Sequence, residues 1–198
     1  LPAHADQVDA RTANAPTLLC VGTLEGRKNH LSLLDACERL WRDGRRFQLR
    51  LIGLAQSETG QKVVERIHAL QAAGHPLRYD GPVDEPTLTQ AYRDCHFTIY
   101  PSLIEGFGLP VLESLAHGKP CICSNRGALG ESAAGGGCLA LPHVDAAHLA
   151  GAIATLLNQP SRHAALVAEA RRRTYKTWSS YTDELLAWMS EIPTRKGE

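Results

Sequence analysis

His96-Phe-Thr-Ile-Tyr100-Pro-Ser-Leu-Ile-Glu105-Gly-Phe-Gly108-Leu-Pro-Val-Leu-Glu113-Ser-Leu-Ala-His-Gly118 passes from strand to loop to helix within one short stretch. His96–Tyr100 is brief, apolar and rich in β-formers, and Pro101 closes it. Ser102–Gly108 then carries a carboxylate and two glycines without periodicity. Leu109–His117 reads as a helix, and Gly118 stands where a left-handed terminating residue is wanted.

The same alternation extends in both directions. Strands are expected at Thr17–Gly22, Phe47–Gly53, Leu77–Tyr79, His96–Tyr100, Pro120–Ser124 and Cys138–Leu141. Helices are expected near Asn29–Asp43, Thr59–Ala73, Glu85–Asp94 and Leu109–His117, followed by Ala146–Asn158, Ser161–Arg173 and Ser180–Met189. In the first helix Leu31, Leu34, Cys37 and Leu40 suggest an apolar stripe at helical spacing. Asp84 is placed to cap the third, with Pro86 in its first turn. Strands alternating with helices require right-handed crossovers, hence an α/β fold: a doubly wound parallel sheet of about six strands, with helices on both faces.

Composition narrows the function classes. Lys plus Arg and Asp plus Glu both total 21, so no overall field draws nucleic acid or an anionic membrane. Any phosphate site must be local. Six cysteines without a CxxC pair lie mostly in apolar runs, which favours buried reduced thiols and a cytoplasmic setting. Cys121 and Cys123 share one strand face and read as core. The histidines lack HxH or HExxH spacing, and no metal ligand set is expected. No apolar run is long enough to span a bilayer, and the residues after Leu1 do not read as a signal peptide. Membrane contact is expected to be at most peripheral, at the inner face of the plasma membrane. Arg171–Arg173 reads as a solvated helix face, and His30 and His117 as structural or surface histidines.

With strand order 3-2-1-4-5-6, the loops after strands one and four diverge and leave a crevice at the carboxyl edge. The first is Gly22-Thr23-Leu24-Glu25-Gly26-Arg27-Lys28; the second is Ser102-Leu103-Ile104-Glu105-Gly106-Phe107-Gly108. Together they suit a sugar diphosphate. Gly106 and Gly108 let backbone N–H groups approach a ligand. The helix beginning at Leu109 directs a partial positive charge at an anion. Arg27 can fork two phosphate oxygens and Lys28 supplies a point charge. Glu113, one turn in, can accept from ribose hydroxyls. The plain alternatives are a solvated loop carboxylate for Glu105, a dipole-favoured Glu for Glu113 and ordinary surface cations for Arg27 and Lys28.

The Glu105…Glu113 segment resembles the E-x7-E signature of family 4 glycosyltransferases, which have the GT-B fold of two Rossmann-like domains. Val21–Asn29, Tyr100–Ser102, Gly118–Pro120, Gly130–Ser132, Leu141–Pro142 and Thr177–Tyr181 are similar to further elements of that family, in register over roughly residues 17–190. The resemblance implies that Glu105 lies against the donor sugar, with backbone groups of Gly106, Phe107 and Gly108 on its hydroxyls. It implies that Glu113 holds the ribose, that Arg27 and Lys28 hold the leaving diphosphate, and that Gly81-Pro82-Val83 lies near the base. Gly22, Thr23 and Leu109 complete the expected donor-binding set.

The implied activity is transfer of a hexose from a GDP- or UDP-linked sugar to a glycan or lipid-linked acceptor, with retention and without a metal. The absence of a DxD triplet agrees with that. Asn29 resembles members that build bacterial polysaccharides. The family's N-terminal domain has no counterpart here, so residues 1–16 are expected to be a linker or tail and 17–178 the donor-binding domain. Residues 179–198 are expected to form a helix crossing back to that other domain through Tyr181, Leu185 and Trp188. The small-residue run Ala133–Gly137 is expected to be mobile. A non-catalytic nucleotide-binding module remains the alternative; an epimerase could share the architecture, and a dinucleotide oxidoreductase is disfavoured because the first loop lacks GxGxxG.

Overall fold

The computed structural model describes residues 15–191. Residues 1–14 and 192–198, the start of the expected linker and the end of the expected terminal helix, lie outside the described residues. Six strands, β1 (Thr17–Val21), β2 (Gln48–Ile52), β3 (Leu77–Tyr79), β4 (Phe97–Tyr100), β5 (Cys121–Ser124) and β6 (Cys138–Leu141), form one sheet in the order β3-β2-β1-β4-β5-β6. Every pairing is parallel. This is the expected doubly wound, Rossmann-like α/β sheet.

Alternating side chains sort the core onto two faces. On one, Leu18, Leu49, Leu51, Phe97 and Ile122 meet α1 (His30–Arg42), α2 (Gln61–Ala72) and α6 (Ala146–Asn158). On the other, Leu19 and Ile52 meet α3 (Glu85–Asp94), while Tyr100, Cys121 and Cys123 meet α4 (Leu109–Ala116), α5 (Gly127–Ala133) and α7 (Pro160–Arg171). Asp84 caps α3 as expected, its carboxylate accepting from Thr87 N–H at 3.0 Å. Gly118 ends α4 at φ +67°. In α1 the apolar stripe is shifted. Leu31 is exposed, and Leu33, Leu34, Cys37 and Leu40 are buried instead.

Other expectations change for reasons of packing. α5 was not among the expected helices, because Gly-Ala-Leu-Gly-Glu-Ser-Ala has low intrinsic helicity. It forms because Gly130 lies directly on the Asn125 backbone, where a Cβ would come within 2.2 Å of the carbonyl oxygen. The run after it is pinned by α7 and the residues that follow. Arg173 Nη1 donates to Ser132 O at 2.8 Å and to Gly136 O at 3.2 Å. Glu169 accepts from Gly137 N–H at 2.8 Å. Ala133–Gly137 is therefore held by side chains, and Arg173 is an anchor rather than part of a solvated face. The last helix, α8 (Trp178–Glu191), has no buried residue, and Trp178, Leu186, Trp188 and Met189 are all exposed.

At the carboxyl edge β1 and β2 end in Gly22 and Gly53 in close approach. A Cβ on Gly53, at φ +148°, would sit 2.0 Å from Gly22 O. Gly53→Ala is expected to cost about 2–4 kcal/mol, from overpacking plus backbone strain. Gly44→Ala, at φ +80° with open space around it, is expected to cost about 1 kcal/mol. Urea unfolding midpoints of the two variants check the contrast.

Candidate active site

The loop after β1 is shaped by a 3-10 turn, Gly26–Lys28, and by Asn29, the one non-glycine with positive φ (57°) among the described residues. Asn29 Nδ2 donates to Pro101 O at 3.2 Å and to Val144 O at 2.8 Å. Leu103 N–H donates to Arg27 O at 2.9 Å. The β1 and β4 loops are thus joined backbone to backbone. Asn29, read from sequence as a likeness to members that build bacterial polysaccharides, has a structural task here.

That junction brings the expected charged residues together. Lys28 Nζ lies 2.5 Å from Glu105 Oε1, and Arg27 Nη1 lies 3.3 Å from Glu105 Oε2. Arg27 also pairs with Glu25 at 2.7 Å. The Glu105 side chain is 9% exposed and that of Lys28 13%, whereas Arg27 is half exposed. Burial by itself raises the Glu105 pKa. Hydrogen bonds from Lys28 and Ser102, with the charges of Lys28 and Arg27, outweigh it and hold the carboxyl below its usual range. Two carboxylates against two cations make the cluster locally neutral. An arriving diphosphate would compete with Glu105 for Lys28, rather than meet two unpaired cations.

On the α4 side, Glu113 Oε2 accepts from Tyr92 OH at 3.0 Å, and Tyr92 OH lies 2.9 Å from Tyr100 OH. This chain fixes one carboxylate oxygen and leaves an exposed residue with the other available. Tyr92 also stacks on His117, ring centroids 4.7 Å apart. Gly108 opens α4 at φ +81°, and a Cβ there would lie 2.6 Å from Ser132 Oγ. Phe107 O accepts from Ser132 Oγ at 3.1 Å, so that carbonyl is already engaged. Pro110 has no N–H, and Val111 N–H donates to Gly108 O, which narrows the donors the helix start can aim at an anion. Phe107 and Leu109 are exposed, whereas Val83 packs partly against the Leu19–Tyr92 cluster. Gly22 and Thr23 lie at the β1 end of the crevice.

Sequence reading missed Ser102, Tyr92 and Tyr100. Ser102 had a local signal, since it stands three residues before Glu105. The tyrosines had none, because they reach Glu113 only through the packing of α3 and β4 on α4. His30 is structural, one of the two expected readings, but its ring is not fully satisfied. It is 2% exposed, its Nδ1 has no partner among the described residues, and burial followed by the Lys28 charge lowers its pKa to about 4. It borders a cavity of about 330 Å³ with Glu25, Asn29, Glu58 and Lys62.

The depressed Glu105 pKa gives a signed prediction. A carboxyl more acidic folded than unfolded contributes stability above its unfolded pKa, about 4.3, and loses it as pH falls through the folded value. Glu105→Gln is expected to cost roughly 1–2 kcal/mol at neutral pH. The difference from wild type should shrink as pH drops below about 4, as read from urea midpoints along a pH series.

The chain is similar to known proteins in sequence and in fold. An O-antigen chain mannosyltransferase B of Escherichia coli is 37% identical over 132 residues, covering 65% of this chain and 34% of its own. The sucrose-phosphate synthase of Thermosynechococcus elongatus superposes with a TM-score of 0.75 at 26% identity, over 90% of this chain and 45% of that one. The HepE protein of Anabaena, in complex with UDP and glucose, superposes with the same TM-score of 0.75 at 19% identity, over 91% and 50%. The chain spans half or less of each of these relatives, and the fold is that of a GT-B glycosyltransferase domain. Residues 5–173 match the family model of glycosyl transferases group 1, and to that family the chain belongs.

Proposed function

We propose that this chain is the donor-binding half of a family 4 retaining glycosyltransferase, and that the Arg27–Lys28 turn and the Glu105–Glu113 segment bind one nucleoside-diphosphate sugar. The observation that carries this reading is the direct contact of Lys28 and Arg27 with Glu105 across the two loops, at 2.5 and 3.3 Å. In this reading Arg27 and Lys28 hold the diphosphate. Glu105, beside them, holds the sugar hydroxyls together with backbone N–H groups near Gly106 and Gly108. Glu113, oriented by Tyr92, takes the ribose, and Gly81–Val83 borders the base.

In the transfer step the bond between anomeric carbon and phosphate oxygen breaks, and the diphosphate leaves with the electron pair. Side-chain cations stabilise the developing charge more in the transition state than in the ground state, which lowers the barrier. They do so without calling on a metal. The acceptor hydroxyl attacks from the face the diphosphate leaves and passes its proton to an oxygen of that departing diphosphate, which gives retention without a protein nucleophile. Glu105 is then a positioning and electrostatic group.

The donor is a GDP- or UDP-linked hexose and the acceptor a glycan or lipid-linked glycan, in cytoplasmic bacterial polysaccharide synthesis. The mannosyltransferase relative and the UDP complex of HepE support this assignment. The acceptor is met by an N-terminal Rossmann-like domain of the same enzyme, and the apolar residues of α8 (Tyr181, Leu185, Trp188) pack on that domain. None of the described helices is long and apolar enough to cross a membrane, and the contact proposed for this chain is at most a peripheral one.

Calorimetric titration with UDP, GDP and NAD in the presence of a chelator tests the site. Diphosphate binding is expected, weakened roughly 10- to 100-fold by Lys28→Ala, the loss of one charge-assisted contact. Tight NAD binding with no preference for nucleoside diphosphates overturns the reading. The 198-residue chain alone is expected to transfer no sugar; turnover in a radiolabelled-donor assay would refute the two-half organisation.

A further inference from the structure

Away from the donor crevice, three thiols converge. Cys121 and Cys123 of β5 and Cys138 of β6 bring their sulfurs within 4.8 Å of one another, and no carboxylate or imidazole belongs to the group. The parallel register sets Cys121 beside Cys138, and Cys123 follows two residues on, on the same face of the sheet. Val111 and Leu115 of α4, Leu129 of α5 and Ala170 of α7 cover them. Cys121 and Cys123 are fully buried, and Cys138 is partly accessible.

Sheet register thus brings three soft donors to one point beneath α4. We propose that Cys121, Cys123 and Cys138 form a three-thiolate site for a soft, thiophilic metal ion of the Cu(I) type.

The donor set decides the class. Thiolates without oxygen or nitrogen partners select soft ions over magnesium or calcium. Zinc in a closed site takes four protein ligands, and the group holds three. Sulfurs about 2.3 Å from a central ion in a trigonal arrangement stand about 4 Å apart, within the separation seen. On binding, each ligating thiol releases its proton to solvent and the ion keeps its oxidation state. Such an ion would tie β5 to β6 beneath α4 and act on stability rather than on sugar transfer.

The reduced chain is titrated anaerobically with Cu(I) against a competing chelator, with Zn(II) in parallel. One equivalent of Cu(I) is expected, with thiolate-to-metal absorbance and a raised unfolding temperature. Cys138→Ser, at the accessible position, should abolish both, while Cys95→Ser, in a separate cluster, should keep them. Circular dichroism verifies that each variant is folded, and Cys123→Ala repeats the test should Cys138→Ser not fold. No stoichiometric Cu(I), binding retained in the folded triad variants, or a preference for Zn(II) each overturns the proposal.

Discussion

β1 and β4 lie side by side and parallel, yet the helices that follow them cover opposite faces of the sheet. Their loops must therefore part company at the carboxyl edge, and the crevice between them is a consequence of topology. Left alone, two diverging loops would be free to drift. Asn29 removes that freedom by reaching from the first loop to Pro101 O in the second and to Val144 O ahead of α6. The Leu103–Arg27 backbone bond adds a second tie. The charged side chains of both loops are consequently placed by main-chain geometry, and long flexible side chains need little further ordering.

The electrostatic state of the crevice follows from that placement. Unpaired, half-buried cations would be costly to hold. Here Glu105 serves as their internal counterion, and Glu25 shares Arg27. In the proposed function the donor diphosphate exchanges with a carboxylate already in the site, so binding replaces one ion pair by another. Tyr92 plays an analogous part for Glu113 by occupying one oxygen and fixing the direction of the other.

Small residues on the far side of the sheet show how closely the helices approach. Gly108, Gly130 and Gly137 each lie where a Cβ would meet a neighbouring atom at 2.2–2.6 Å. Arg173 and Glu169 then satisfy the backbone groups that such a tight turn leaves exposed. A run of alanines and glycines that looks permissive in one dimension is held firmly in three.

The amino-acid sequence by itself determined the strand and helix alternation and the two loops that follow the first and fourth strands, whereas the sheet order that makes them neighbours was only assumed until the structure supplied it. The alternation and the loops rest on short-range signals: apolar periodicity, glycines at helix ends, a capping aspartate and charged residues just after a strand. The GFG run and the Arg-Lys pair were legible for the same reason. Only the tertiary structure decided that Glu105 neutralises Lys28, that Tyr92 orients Glu113, that α5 is a helix, and that three cysteines from two strands share one point. Those outcomes depend on contacts between residues distant in the chain, across strands in register and helices in van der Waals contact. Local propensity carries no term for them.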